Sequence, residues 1–240
     1  MYYFMKAILK KLLLGNVSRI AIPDCNPVKK CINNIKAIWN NEHQDDNGIE
    51  KIVRLFLSSS QLLFPGVYIK YLASIKGYEY RDLASDLYVL LKASFPLLIL
   101  IQQWQHNSFI IGLMLYVLLE TVLYIPTLIF ASDLFSKPRS YKRSMLLLFL
   151  NYTEIIFAFG VLYSCGDYFN KPFGNWFDSV YFSIITSSSI GYGDYYPVKT
   201  IGKILVSAQA MLFLFFVVLF LNFFSTKIKS KGYFDIENNS

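Results

Sequence analysis

The feature that most constrains this chain is a set of long apolar runs whose ends carry charges or turn residues. A helix needs about 20 predominantly apolar residues to cross a bilayer. Residues 87–104, 109–131, 145–165 and 204–225 reach or approach that length. Composition points the same way: 55% of the 240 residues are hydrophobic and only 16% are charged, against roughly 25% charged in ordinary soluble domains. Inside hydrocarbon every backbone N–H and C=O has to find a partner within the protein, which a helix provides by itself. The predicted fold class is therefore an all-α, multi-pass membrane protein with four transmembrane helices.

The net charge of +7 does not point to nucleic acid, because the basic residues sit beside the apolar runs rather than on one basic and aromatic surface. Their positions fix a topology instead. Lys137, Arg139, Lys142 and Arg143 crowd one short loop, and Lys227, Lys229 and Lys231 follow the last run; the positive-inside rule places both clusters in the cytoplasm. Both termini then lie in the cytoplasm, and the expected location is the plasma membrane. Lys6, Lys10 and Lys11 interrupt what would have to be the apolar core of a signal peptide, so cleavage is not expected.

The domain order expected is a cytoplasmic region (1–84), a transmembrane hairpin (85–135), a further domain (142–226) and a cytoplasmic tail (227–240). Residues 5–14 read as an amphipathic helix, lying on the membrane surface or packed on its own domain. Residues 55–73 are apolar but contain Ser58, Ser59 and Ser60, a Pro65-Gly66 break and Lys70, and are placed outside the membrane. In the hairpin, Lys92 is expected to snorkel to the cytoplasmic headgroups, and the first crossing to bend or break near Pro96.

Residues 166–203 are too polar to cross, and on this topology they begin and end on the outer face. They are expected to dip in and return: a helix over 178–189, then an extended Ile190-Gly191-Tyr192-Gly193-Asp194. Non-helical backbone at membrane depth is tolerated where protein buries it or where it lines a water-filled path. Successive carbonyls can face one axis only if the backbone alternates with left-handed conformations, which glycine adopts without steric penalty; Gly191 and Gly193 suit that need. Ile190 and Tyr192 would then point away from the axis, with Tyr192 packing against the helix before it. Ser189 adds a hydroxyl at the inner end, and Asp194 a carboxylate at the outer mouth, where cations collect.

At 189–194 the sequence Ser-Ile-Gly-Tyr-Gly-Asp resembles the potassium-channel pore family, whose motif runs Thr-Val-Gly-Tyr-Gly-Asp. The resemblance spans about 142–226 and includes Thr186 in the pore helix and Tyr196-Pro197 after the motif. It implies an outer helix, a re-entrant pore helix with a filter, and an inner helix, assembled as a homotetramer. It implies an ion filter of Ser189, Ile190, Gly191, Tyr192 and Gly193, supported by Thr186 and Asp194, with K+ held at Ser189, Ile190, Gly191 and Tyr192 by carbonyls that replace its hydration shell. Two departures stand out. Serine replaces the first threonine, losing a methyl that stiffens the rotamer, and no glycine lies between Lys203 and Lys231 to act as a hinge.

Glu120, inside the second run, is a functional candidate because an intramembrane carboxylate is costly; a structural hydrogen bond or ion pair is the favoured reading for it and for Glu154. Gln209 faces either a water-filled cavity or a neighbouring helix. His43 and His106 lack companion ligands, and Cys25, Cys31 and Cys165 show neither zinc spacing nor a disulfide framework. No helix carries arginines at every third position, so strong voltage sensing is not expected. No P-loop or catalytic constellation is seen, and roughly fifteen residues after the last run leave no room for a C-terminal nucleotide-binding domain. The sequence thus predicts a potassium-selective channel subunit and not an enzyme. Its alternatives are a non-selective cation channel, or a receptor or scaffold with an inert pore-like segment. The partners expected are further copies of the chain, membrane lipid, and a cytoplasmic regulator of unknown identity acting on residues 1–84.

Overall fold

The computed structural model describes residues 26–42, 47–130 and 141–228. Among the described residues all regular structure is helical, apart from a single isolated bridge between Phe169 and Pro197. The expected helix at 5–14, together with Cys25, His43, Lys137, Arg139, Lys229 and Lys231, lies outside the described residues.

The described residues form two compact units, one from residues up to 96 together with 112–130, the other from 97–111 with 141–228. In the first, α1 (Pro27–Trp39) starts where Asn26 caps the backbone N–H groups of Val28 and Lys29 and Pro27 occupies the first turn, a position where proline's missing N–H is no loss. Helix α2 (Gly48–Ser60) runs into a 3-10 turn (Gln61–Leu63), and α3 (Pro65–Lys76) follows. Helix α1 packs against both α2 and α3, with the Cys31 thiol donating to the Ser58 carbonyl at 3.5 Å. Gly77, at φ +139°, ends α3 in a conformation that favours glycine.

Helices α4 (Tyr78–Ile101) and α5 (Ser108–Phe130) run through both units. The turn between them places Gln103 at φ +55°, and the Asn107 side chain caps α5 through the N–H groups of Phe109 and Ile110. The second unit is completed by α6 (Tyr141–Ser164), α7 (Trp176–Ser187) and α8 (Thr200–Ile228). Within it α6 packs along both α7 and α8.

Among the described residues, four helical segments are long and apolar enough to cross a membrane: Tyr80–Ile101, Ser108–Phe130, Lys142–Ser164 and Thr200–Leu221. The first begins well before residue 87 and continues as one helix through Pro96, so of the expected bend or break the structure shows no break. Proline removes one intrahelical bond, and the remaining ladder of a 24-residue helix outlasts it. Residues 48–75 pass the same length and composition test as a pair of helices bent by 58° at Phe64, although the serines, Pro65 and Lys70 had argued for leaving this stretch outside the membrane.

Candidate pore segment

The local sequence dictates where α7 starts. Asn175 accepts from Phe177 N–H at 2.8 Å and Asp178 N–H at 3.2 Å, while the Asp178 carboxylate accepts from Gly174 N–H at 2.8 Å and Asn175 N–H at 3.3 Å. This reciprocal box satisfies donors that a helix start otherwise leaves bare and sets the negative side chain against the positive end of the helix dipole. The helix therefore begins at Trp176, two residues before the start expected from the apolar run. Asp178 also accepts from the Tyr195 hydroxyl at 3.2 Å, which ties the head of α7 to the chain beyond the motif.

The end of α7 is as strictly defined. Ser189 N–H donates to the Thr186 carbonyl at 3.2 Å and Ile190 N–H to the Ile185 carbonyl at 3.0 Å, the paired bonds of a Schellman cap. That cap places Ser189 at φ +58°, a left-handed state uncommon for a residue with a side chain. Gly191 follows at φ +57° and Gly193 at φ +80°, while neither Ile190 nor Tyr192 has a positive φ. Every second residue from 189 to 193 is thus left-handed. A Cβ at Gly191 or Gly193 would meet nothing within 4 Å, so backbone conformation, and not space within the chain, calls for glycine there.

The return path is stapled to the segment after α6. The Tyr168 carbonyl accepts from Val198 and Lys199, and Asn170 makes a two-way bridge with Tyr196, its N–H donating at 3.1 Å and its side-chain oxygen accepting at 3.0 Å. Asn170 Nδ2 donates to the Asp194 carbonyl at 3.3 Å. Beneath this staple, Tyr163, Phe169 and Phe182 meet edge to face with centroids 4.8 to 5.3 Å apart, the offset geometry that aromatic quadrupoles favour. Phe173 stacks near Tyr195 at 4.9 Å, and the Lys171 ammonium lies 4.4 Å from the Tyr195 ring centre. Burial first, and then the carboxylates of Asp178 and Asp194, push the Tyr195 phenol above its ordinary pKa.

One polar junction joins all three helices of this region. Gln209, on α8 and 1% exposed, accepts from the Tyr163 hydroxyl of α6 and donates to the Ser183 carbonyl and hydroxyl of α7 at 3.0 and 2.7 Å. Ser183 passes the network on to the Ile156 carbonyl at 2.7 Å. Gln209 therefore lies between helices and does not face a cavity. Glu154 is buried on α6.

The predicted site residues fall into three groups. Ser189, Gly191 and Gly193 share one backbone alternation, and Thr186 joins it through its carbonyl. Asp194 is half-buried beside Tyr195, with one carboxylate oxygen, Oδ1, buried and without a hydrogen-bond partner among the described residues. Ile190 and Tyr192 are 55% and 69% exposed, so within its own chain Tyr192 is not packed away against α7 as expected. Sequence reasoning passed over Asn170, Asn175 and Tyr163. Of these only Asn175 carried a readable signal, its spacing of three from Asp178 ahead of an apolar run.

Residues 145–230 match a family model described as ion channel. That match supports an ion-channel function. It begins near the start of the third candidate span and covers α7, the 189–194 segment and α8. It points to a membrane protein of transporter type. Comparison with curated proteins and comparison with solved structures each found no match.

Proposed function

We propose that the chain is one subunit of a homotetrameric, potassium-selective channel, in which the ion passes along the backbone carbonyls of Ser189, Ile190, Gly191, Tyr192 and Gly193. The observation that carries the reading is the left-handed backbone at 189, 191 and 193 directly after a Schellman-capped helix. Alternation of this kind turns consecutive carbonyls toward one side, and four such strands about an axis offer dehydrated K+ a ring of oxygens at each level. The ions would sit at Ser189, Ile190, Gly191 and Tyr192.

Three further features support this function. Helix α7 runs directly into Ser189, so the negative end of its dipole faces the inner entrance of the row. Asp194 adds a carboxylate at the far end. Ile190, Tyr192, Tyr196 and Val198 leave 49% to 69% of their surfaces exposed, and neighbouring subunits would cover these side chains. A cyclic assembly of identical chains supplies that cover by symmetry. Flux is passive, across the plasma membrane, with both termini in the cytoplasm.

A non-selective cation channel is the second reading, favoured by Ser189 in place of threonine and by the lack of in-chain packing behind Tyr192. Reversal potentials across vesicles holding K+ on one side and Na+ on the other separate the two. The proposal expects a potential close to the K+ equilibrium value; a potential near zero supports the second reading. Absence of any flux from a pure, folded protein would favour a receptor or scaffold.

A further inference from the structure

The junction between α2 and α3 is held by residues from the middle of candidate membrane spans. The Tyr116 hydroxyl donates to the Leu63 carbonyl at 2.6 Å, and the Tyr116 and Phe64 rings lie 5.5 Å apart. The Gly66 N–H donates to Glu120 Oε1 at 3.2 Å, and the Tyr88 hydroxyl donates to the other oxygen of that carboxylate. A Cβ at Gly66 would meet the Glu120 carboxylate in its present position, so glycine lets that carboxylate come close to the start of α3. Tyr116 and Glu120 are one turn apart, midway along α5. Tyr88 lies about 15 Å along α4 from its start, at 1.5 Å per residue, which is about half the thickness of a bilayer core.

Depth follows from this. Helices α3 and α4 meet at Gly77, and Gly66 and Tyr88 lie equally far from it in sequence. Both reach Glu120, so the start of α3 is as deep as the middle of α4. At 12 residues, α3 is about 18 Å long, enough to run from mid-depth to one face.

The outward surfaces agree with burial in lipid. On α2 and the turn after it, Ile49, Ile52, Phe56 and Leu63 recur every three to seven residues along one face, and on α3 so do Tyr68, Leu72 and Ile75; all are between 44% and 80% exposed. Most of the features that argued against the membrane are accommodated, the exception being the Ser58 hydroxyl, which is buried without a hydrogen-bond partner among the described residues. Of the three serines only Ser59 is exposed, and Ser60 returns its hydroxyl to the Leu57 carbonyl at 2.8 Å. Pro65 sits in the first turn of α3, and Lys70 is about 9 Å short of the end of that helix, within reach of a snorkelling stem.

We propose that α2 and α3 are embedded in the bilayer with their junction at mid-depth, their apolar stripes facing acyl chains, and that Glu120 anchors the junction by accepting from the first turn of α3. A carboxylate at the positive end of a helix, in hydrocarbon, is worth more than the same contact in water. Glu120 is thus a positioning residue for a membrane-inserted half-helix.

Spin labels test this in the full chain, reconstituted in liposomes, with Cys25, Cys31 and Cys165 replaced by serine. Single cysteines at Leu63, Leu72 and Leu115, the last exposed in the middle of α5, are labelled, with Asn170→Cys as the aqueous reference. Accessibility to oxygen and to a water-soluble nickel chelate reports depth. Leu63 is expected to match Leu115, with nickel access severalfold below that at Asn170, and Leu72 to be shallower than Leu63. Nickel access at Leu63 and Leu72 equal to that at Asn170 overturns the proposal. Glu120→Ala is expected to raise nickel access at Leu63 severalfold while Glu120→Gln, which keeps an acceptor, does so less. No change in Glu120→Ala removes the anchoring role, and since the labels on the unaltered background decide depth, a misfolded variant does not blunt the test.

Discussion

Gly191→Ala tests the backbone argument at its narrowest point. Gly191 sits at φ +57°, and a methyl there would touch nothing within 4 Å of its own chain, so crowding is not the objection to alanine. The objection is local: an L residue held in the left-handed region loses about 1–2 kcal/mol. Four strands about one axis would each carry that penalty, about 4–8 kcal/mol for the assembly. At 1.4 kcal/mol per tenfold, the population with all four strands in place falls by roughly a thousandfold to a millionfold. Potassium flux into vesicles should fall by at least about a thousandfold, with helix content and oligomer size unchanged. D-alanine placed at 191 by semisynthesis prefers the left-handed region and fits the open space, so it should retain flux. L-alanine that conducts like the unaltered protein, or loss of flux with both isomers alike, would refute the reasoning.

Other expectations follow from the packing. Gln209→Leu leaves the Tyr163 hydroxyl and Ser183 without their buried partner and should destabilise the α6–α8 unit by about 1–3 kcal/mol, read as a lower unfolding midpoint in detergent. In Gly202→Ala the new Cβ would lie 2.9 Å from Tyr168 Cβ and 3.1 Å from the Tyr168 carbonyl and Pro197; overpacking of about 1–3 kcal/mol should appear in the same melt. Burial pushes the Cys165 thiol above its usual pKa of 9.0, and the thiol donates to the Val161 carbonyl at 3.2 Å. With Cys25 and Cys31 replaced by serine, its alkylation should be slower than that of a free thiol and should rise at higher pH than a free thiol's does, because the thiolate is the nucleophile. Any stability this protonated thiol contributes is present below the unfolded value and lost as pH climbs through the folded one.

The spans were legible because apolar length is a direct requirement of the bilayer, and all four appear, the first starting seven residues before its expected bound and the others within about four residues of theirs. The need for glycine at 191 and 193 was legible because sterics restrict the left-handed region to few residues. Ser189 was not, since its conformation is imposed by the cap at the end of α7 and not by its own preference. The start of α7 was missed by two residues because the Asn175–Asp178 box is a side-chain arrangement, whereas the apolar run alone shows only where helix is favourable. Gln209 could not be placed because its partners, Tyr163 and Ser183, are 46 and 26 residues away. Residues 55–73 were placed outside the membrane by their polar content; the contact of Gly66 with Glu120, 54 residues further along the chain, could not be read there.

The central claim is that the 189–193 backbone lines an ion path shared by four chains. The most direct measurement is an experimental structure of the assembled protein in lipid, determined with Rb+ in place of K+. The account predicts a four-fold axis with a column of Rb+ density at the carbonyls of Ser189, Ile190, Gly191 and Tyr192. A single chain, or a 189–193 segment lying on an outer surface with no density beside its carbonyls, would contradict it.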